Sequence, residues 1–307
     1  MSDLLKISKY GLSLKCGDSR YKVLSDIEMS VKEGQIIGLI GESGSGKSVL
    51  WKSVMGLLDE KNWEISKDAK VHVRQRPSVI LQDPMNAFDQ VFTIKYHFLE
   101  TSKAASKQEK KEVLNRAKFL MEQLYIRDSE KVLDMYPFQC SGGMLQRIMI
   151  AIALMDDCKM LVADEPTTSV DVTVQREIVA LLKKINEKKH TGILYISHDL
   201  EIMENIADRI YVMYAGYLVE EFPASKLKSQ EVLHPYTVQL LKSRPTFSKE
   251  PLYTMVGNPP TLMERQSGCP FAPRCGYKTG KCLEFDMKNH ELSENHRIRC
   301  CRWEDFV

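Results

Sequence analysis

A glycine-rich octapeptide that ends in a lysine and a serine is the part of this sequence best suited to chemistry. The segment GESGSGKS matches the phosphate-loop pattern G-x-x-x-x-G-K-[ST]. In such a loop the backbone N–H groups at a helix N-terminus surround anionic phosphates, and glycines let the backbone approach them closely. We expect Lys47 to neutralise the terminal phosphates of ATP and the Ser48 hydroxyl to bind Mg²⁺. The predicted ATP-binding residues are Gly41, Glu42, Ser43, Gly44, Ser45, Gly46, Lys47, Ser48 and Val49.

Two carboxylates follow an apolar run further along the chain, in the segment KMLVADE. An acidic pair in this position is commonly only the solvated turn after a strand. Beside a phosphate loop it has a second use, because a nucleotide site needs a carboxylate for Mg²⁺ and a group that orients the attacking water. We therefore predict that Asp164 binds Mg²⁺ through water and that Glu165 is the catalytic base.

The elements that must position these residues follow a strand–helix rhythm. The apolar run after Gly34 predicts a buried strand that leads into the phosphate loop, and a helix is expected from Lys47 to about Leu58. Helical periodicity dominates from about 93 to 154, where one apolar face recurs at intervals of three and four residues. Apolar runs at 160–163 and 193–196 flank a helical stretch at 175–188. This alternation predicts an α/β fold with a mainly parallel sheet.

A Ser-Gly-Gly segment lies between the phosphate loop and the acidic pair, within CSGGMLQR. Standing alone, it would be an ordinary helix N-cap. In this position it resembles the LSGGQ signature of ABC transporter ATPases, with Cys140 and Met144 in place of leucine and glutamine. The resemblance implies that the signature residues bind the γ-phosphate of ATP held by a second subunit, in a head-to-tail dimer. The signature residues are Ser141, Gly142, Gly143 and Met144.

Further positions agree with the same family in order and spacing. Gln82 in ILQDP looks like the Q-loop glutamine, Asp171 in SVD like the D-loop aspartate, and His198 in YISHD like the switch histidine. The resemblance implies that Gln82 binds Mg²⁺ and that Gln82 and His198 act in hydrolysis with the catalytic base. It also implies an aromatic ring on adenine, for which Tyr21 is the candidate and Tyr10 the alternative.

The resemblance also implies an architecture: a P-loop NTPase core with a mainly parallel sheet and helices, a small antiparallel β-subdomain and a helical subdomain at about 93–154. Only 34 residues separate Lys47 from Gln82, which is short for the family and predicts a trimmed β-subdomain around Glu64 to Val73. Prolines become frequent beyond about Glu231, and helices tolerate them poorly. We predict an ATPase domain over 1–232 and a cysteine-containing C-terminal extension over 233–307.

Five of the eight cysteines fall within the last 39 residues. The region from GNPPTLMERQSGCPFAPRC to HRIRC resembles the extension of peptide and nickel importer ATPases, whose members carry a four-iron four-sulfur cluster there. Zinc also accepts four thiolates, and reduced structural cysteines without metal are a third reading. Cys301 is an alternative to Cys300 as the last ligand. The predicted ligands follow the spacing C-x5-C-x6-C-x17-C and are Cys269, Cys275, Cys282 and Cys300.

Composition limits the class of protein. Hydrophobic residues at 43% and charged residues at 27% are typical of a folded chain, and the net charge of +2 does not indicate a nucleic-acid partner. No run of 18 or more apolar residues occurs, and the N-terminus lacks the apolar stretch of a signal peptide. We therefore expect a peripheral subunit on the cytoplasmic face of the cell membrane.

The leading hypothesis is an import ATPase for di- or oligopeptides, nickel or metal chelates. Its expected partners are a second ATPase subunit that is a paralogue of this chain, two transmembrane permease subunits and an extracellular or periplasmic substrate-binding protein. The alternative is a soluble ABC ATPase that works as a mechanical clamp without a membrane partner. The absence of sustained heptad repeats disfavours that alternative.

Overall fold

The computed structural model describes residues 2–105, 109–168, 170–244, 253–265 and 267–306. The chain divides into two compact units. Unit 1 comprises Met1–Arg74 and Ser197–Val307, and unit 2 comprises Gln75–Ile196.

The strands follow one another along the chain as β1 (Asp3–Cys16), β2 (Ser19–Lys32), β3 (Ile36–Ile40), β4 (Trp63–Ile65), β5 (Lys70–Val73), β6 (Ser78–Ile80), β7 (Met160–Asp164), β8 (Gly192–Ile196), β9 (Arg209–Tyr214), β10 (Tyr217–Pro223), β11 (His290–Ser293) and β12 (His296–Ile298). The α-helices are α1 (Lys47–Val54), α2 (Pro84–Ala87), α3 (Ile94–Ala105), α4 (Lys110–Gln123), α5 (Ser129–Leu133), α6 (Gly142–Ala153), α7 (Val172–Lys189), α8 (Leu200–Ile206), α9 (Ala224–Ser229) and α10 (Pro235–Lys242). Short 3₁₀ helices lie at Pro137–Gln139, Ala272–Arg274, Gly280–Leu283 and Trp303–Asp305.

Unit 1 contains two kinds of sheet. β1 pairs antiparallel with β2, β4 and β5, which forms the small antiparallel sheet. β3 runs parallel to β9, and β9, β10, β12 and β11 then continue in antiparallel pairs. All residues of β3 and β9 are buried, which fits their nearly continuous apolar sequences. The phosphate loop therefore leaves a strand that is fixed inside the core.

Unit 2 combines a parallel sheet with helices. β6, β7 and β8 are parallel neighbours, and every residue of β7 and β8 is buried. Helices α3 to α6 lie within the stretch that sequence periodicity assigned to helix. On α4, Val113, Ala117 and Met121 are buried at intervals of four residues, as the apolar face predicts. The acidic pair thus follows a strand that is buried throughout.

Most of the predicted elements are confirmed, with shifts at their ends. The helix after the phosphate loop ends at Val54 rather than Leu58, and the helix predicted at 175–188 begins at Val172 because Asp171 caps it. The short β-segments expected near 64–73 are β4 and β5. The sequence did not predict that β11 and β12, beyond the prolines, extend the sheet of unit 1 through β10.

No described helix is both long enough and apolar enough to cross a membrane.

Candidate functional site

The phosphate loop connects β3 to α1 in unit 1. Lys47 lies at the first position of α1 and donates from Nζ to the carbonyl oxygens of Gly41 and Glu42, at 2.8 and 3.0 Å. Gly41 has φ 152°, and a Cβ there would lie 2.1 Å from the carbonyl oxygen of Met213. Only glycine fits at that point, since a backbone atom cannot move aside as a flexible side chain can. Ser48 and Val49 begin the same helix.

A tight turn between β9 and β10 supports this loop from outside the motif. Ala215 and Gly216 both have positive φ, as the hairpin connection requires. The Gly216 N–H donates to the carbonyl of Ser45 at 2.8 Å, and the Gly216 carbonyl accepts from the N–H of Ser25 at 2.9 Å. Gly216 was not among the predicted site residues, and the only signal for it in the sequence is its position between two strand-like apolar runs.

The second residue of the loop, Glu42, is held by the C-terminal part of unit 1. Its carboxylate accepts two hydrogen bonds from the Arg274 guanidinium, at 2.7 and 3.1 Å. Its backbone N–H donates to the Tyr236 hydroxyl at 2.8 Å. Burial raises the pKa of Tyr236, so the hydroxyl stays neutral at physiological pH. Neither Arg274 nor Tyr236 was among the ATP-binding residues predicted from the sequence.

The acidic pair of unit 2 sits at the end of β7. Asp164 is the buried last residue of that strand, and Glu165 follows with φ 46°. The Glu165 carboxylate accepts from Gln82 Nε2 at 3.3 Å and from the Thr168 hydroxyl at 3.1 Å. A non-glycine residue with positive φ after a strand is uncommon, and such strain concentrates at functional sites. The structure thus brings together Gln82 and Glu165, which the sequence predicted separately.

The Ser-Gly-Gly segment forms the start of α6 in the same unit. The Ser141 hydroxyl caps the helix by accepting from the Met144 N–H at 3.2 Å, and a Cβ on Gly142 would meet no atom within 4 Å. Most residues of α6 from Leu145 to Ala153 are buried. Gln146 is fully buried and donates to the carbonyl of Pro166 at 2.9 Å. This bond attaches the turn after the acidic pair to α6, the helix that begins with the signature residues.

The remaining predicted positions are more exposed. Asp171 caps α7 by accepting from the N–H groups of Thr173 and Val174, both at 3.0 Å. His198 is exposed in the segment before α8. Tyr21 is half-buried on β2, whereas Tyr10 is fully buried and cannot offer a ring face to a nucleotide. Tyr21 remains the predicted aromatic partner of adenine.

The C-terminal cysteines line one small cavity of unit 1, together with His234 and Phe271. Among the described residues, however, no three His, Cys, Asp or Glu side chains are disposed to hold a metal ion. The expected four-thiolate centre is therefore not seen in this geometry. Sγ of Cys301 lies 3.4 Å from Sγ of Cys282, so Cys301 stays an alternative to Cys300 as the last ligand. The cavity is lined by Cys269, Cys275, Cys282, Cys300 and Cys301.

The thiols differ in proton affinity. Burial raises the pKa of Cys269 to about 12 and that of Cys300 to about 11. For Cys282, burial acts in the same direction, but hydrogen bonds from Thr279 and Cys301 outweigh it and lower the pKa. Cys282 is therefore the thiol of this cavity most easily converted to a thiolate, the form that binds soft metals.

Two family models match separate parts of the chain. Residues 24–168 match the model of the ABC transporter family, and residues 219–282 match that of the oligopeptide/dipeptide transporter C-terminal region. The first range contains the phosphate loop, the signature segment and the acidic pair. The second contains Tyr236, Arg274 and the first three clustered cysteines.

Curated relatives align with nearly the whole chain. A dipeptide transport ATP-binding protein of Haemophilus influenzae is 36% identical over 94% of this chain and 93% of its own length. An oligopeptide transport ATP-binding protein of Bacillus subtilis is 34% identical over 99% and 98%. Among solved structures, the dimeric structure of a bacterial ABC transporter cassette aligns with a TM-score of 0.63 at 22% identity, over 72% of this chain and 98% of that one. That likeness establishes the ABC cassette fold.

Proposed function

Because the chain belongs to the family of ABC transporter ATP-binding proteins that carry the oligopeptide/dipeptide transporter C-terminal region, we propose that it energises the import of di- or oligopeptides. Its enzymatic activity is that of an ABC-type ATPase. The match of residues 219–282 is the observation that carries the peptide assignment. Nothing in the comparisons supports nickel or metal chelates as cargo, or a soluble clamp.

Within unit 2, Glu165 is the proposed catalytic base. Its carboxylate is oriented by hydrogen bonds from Gln82 and Thr168, so it need not reorganise when a water molecule must be positioned. Gln82 is proposed to act with it, and His198 to bind the γ-phosphate. Ser48, Gln82 and Asp164 are the residues proposed to hold Mg²⁺, which neutralises phosphate charge when it is bound.

Within unit 1, the phosphate loop is the proposed binding site for the triphosphate. Its glycines allow a close approach of the backbone, and α1 directs its N-terminus toward the loop. Lys47 bonds two loop carbonyls and would exchange these for phosphate oxygens when ATP binds. Tyr21 is proposed to stack on the adenine.

A complete site requires a second ATPase subunit in this proposal. The capped start of α6 leaves open space beside Gly142, where a γ-phosphate held by another subunit can approach. Ser141, Gly142, Gly143 and Met144 would bind it, and Asp171 would lie at the interface. The solved relative is a dimeric cassette. The second subunit is proposed to be a paralogue of this chain.

The proposed assembly contains two transmembrane permease subunits and a substrate-binding protein outside the cell, with this chain on the cytoplasmic face. Residues 1–232 would form the ATPase domain and 233–307 the extension. No nucleic-acid partner is proposed.

The clustered thiols are proposed to hold a soft metal centre, either a four-iron four-sulfur cluster or zinc. What supports this is the donor chemistry, because thiolates bind soft metals and five thiols line one cavity, although no three of the described side chains are disposed as ligands. Cys269, Cys275 and Cys282 would be ligands, with Cys300 or Cys301 as the fourth. Measuring the iron, sulfide and zinc content of the purified protein distinguishes the two centres. A protein that contains neither iron nor zinc in stoichiometric amount excludes both.

Reconstitution tests the transport function. The chain is assembled with its permeases in liposomes, and ATP hydrolysis is measured with the binding protein loaded with a dipeptide, an oligopeptide or a nickel chelate. We expect peptide-loaded protein to stimulate hydrolysis and Lys47→Ala to abolish it. Stimulation by the nickel chelate alone would redirect the cargo assignment, and failure to associate with any permease would remove the transport role.

A further inference from the structure

The phosphate loop contains a carboxylate, Glu42, whose negative charge opposes the binding of an anionic phosphate by the loop. Glu42 lies in a segment that must accept the strongly anionic triphosphate of ATP. A negative charge close to the phosphates would weaken binding by direct repulsion. The structure shows how this charge is balanced: both Glu42 carboxylate oxygens accept hydrogen bonds from Arg274, at 2.7 and 3.1 Å.

The position of Arg274 is fixed on several sides. Its side chain is only 5% exposed, and that of Glu42 is 25% exposed. The guanidinium carbon lies 5.8 Å from the ring centre of Tyr214, and Nε donates to the carbonyl of Val256 at 3.0 Å. Bidentate pairing of this kind fixes direction as well as charge. Arg274 is thus preorganised to hold Glu42 in one orientation.

An aromatic cluster joins this pair to the phosphate-loop backbone. The rings of Tyr214, Tyr236 and Phe271 contact each other, with centroids 4.6 to 5.4 Å apart. The Tyr236 hydroxyl accepts from the Glu42 N–H at 2.8 Å. Glu42 is therefore held at its backbone by α10 and at its carboxylate by the 3₁₀ helix that ends at Arg274.

We propose that Arg274 is a positioning residue for nucleotide binding, which neutralises Glu42 and so makes the segment between Cys269 and Cys275 a functional part of the ATP site. This inference rests on the proposed binding of the triphosphate by the phosphate loop. It assigns the C-terminal region a direct effect on ATP affinity, whatever the neighbouring thiols bind.

Equilibrium titration of the purified full chain with a fluorescent ATP analogue tests the proposal. Arg274→Gln leaves Glu42 charged and unpaired, and the Kd should rise about 10-fold. Glu42→Gln removes the repelling carboxylate and leaves the Arg274 guanidinium charged, so the Kd should fall below that of wild type. The decisive variant is the double substitution Arg274→Gln with Glu42→Gln, which should recover most of the affinity lost in Arg274→Gln.

That recovery separates charge balance from a merely structural role. If Arg274 only supported the fold, removing a second side chain could not restore binding. Arg302→Gln is the matched control, because Arg302 also lies beside the clustered cysteines, whose cavity it lines, but pairs locally with Asp305 at 2.5 Å. Its Kd should be unchanged. In the reconstituted importer, Arg274→Gln should raise the KM for ATP and leave kcat at saturating ATP nearly unchanged.

Each outcome has a distinct meaning. A Kd for Arg274→Gln equal to that of wild type, or a double variant no better than Arg274→Gln, overturns the inference. Wild-type chain that does not bind ATP, or binds it equally well as Lys47→Ala, overturns the proposed function instead. Should Arg274→Gln fold poorly, Arg274→Lys is used instead, because it keeps the charge and loses only the bidentate geometry. Its Kd should lie between that of wild type and the value, about 10-fold higher, expected for Arg274→Gln. A Kd above about 10-fold that of wild type would count against charge balance.

Discussion

Gly216 should be far less tolerant of substitution than the turn glycine Gly17, although it lies outside every sequence motif. It occupies the turn between β9 and β10 with φ 85°, and a Cβ there would lie 2.1 Å from the backbone carbonyl oxygen of Val23. The same Cβ would lie 2.8 Å from a guanidinium nitrogen of Arg265, which itself donates to Val23 at 2.9 Å. We therefore expect Gly216→Ala to move the turn away from β2, the strand that contains Val23.

The size of the effect follows from the contacts that must change. Alanine in a left-handed conformation costs about 1 kcal/mol. Relieving the contact with Val23 also disturbs the bonds of Gly216 to Ser45 and Ser25, each with a net value of about 1 kcal/mol. Together these terms lower the free energy of unfolding by about 3 kcal/mol. Gly17, in the turn between β1 and β2, has φ 58° and no atom within 4 Å of its Cβ, so Gly17→Ala should cost only about 1 kcal/mol.

Urea denaturation followed by tryptophan fluorescence measures this difference. The three tryptophans, Trp51, Trp63 and Trp303, all lie in unit 1, so the signal reports the unit that contains both glycines. Asparagine variants separate strain from the steric contact, because asparagine tolerates positive φ but keeps its Cβ. Gly17→Asn should be close to neutral while Gly216→Asn stays strongly destabilised. Equal destabilisation of the two alanine variants would refute the steric argument.

Three further predictions concern catalysis, packing and pH. Glu165→Gln should bind ATP normally but hydrolyse it at least about 100-fold more slowly, measured by phosphate release; unchanged turnover would remove Glu165 as the base. Gln146→Met should lower the free energy of unfolding by about 1–3 kcal/mol, because the Pro166 carbonyl loses its buried donor; equal urea midpoints would contradict this. Burial lowers the pKa of His234 from 6.5 to about 4, so the unfolded chain binds a proton that the folded chain does not as pH falls through this window. The free energy of unfolding should therefore drop by up to about 3 kcal/mol between pH 7 and 4. His234→Asn can still cap α10 and should lose that part of the pH dependence. Parallel curves of unfolding free energy against pH for the two proteins would show that His234 does not cause the drop.

Local patterns in the sequence were sufficient to predict the elements that carry the chemistry. The buried strands β3, β7 and β8 are apolar almost throughout, and the phosphate loop, the acidic pair and His198 lie at or just beyond their ends. The order of phosphate loop, signature and acidic pair along the chain identified the family before any contact was known. The hydrogen bond between Gln82 and Glu165 also agrees with the expectation that both act in hydrolysis.

Contacts between residues distant in sequence were not predictable in this way. Arg274 is separated from Glu42 by 232 positions, and Gly216 from Ser45 by 171. Neither pair has a spacing rule, because their proximity depends on how β9, β10 and the C-terminal segment fold back onto unit 1. The prolines after residue 231 indicated only that long helices would end there. They did not indicate that β11 and β12 would join the sheet.

The supports of the phosphate loop come from both sides of the boundary predicted near residue 233. Gly216, from the hairpin before it, bonds the carbonyl of Ser45, while Tyr236 and Arg274, from beyond it, bond Glu42. A loop rich in glycine has little intrinsic preference for one conformation, so its phosphate-binding form must be imposed by such contacts. The C-terminal region therefore has a physical reason to accompany this ATPase core, because it supplies two of the contacts that shape the proposed nucleotide site. Variants that loosen Tyr236 or Arg274 should consequently weaken ATP binding before they affect the chemical step.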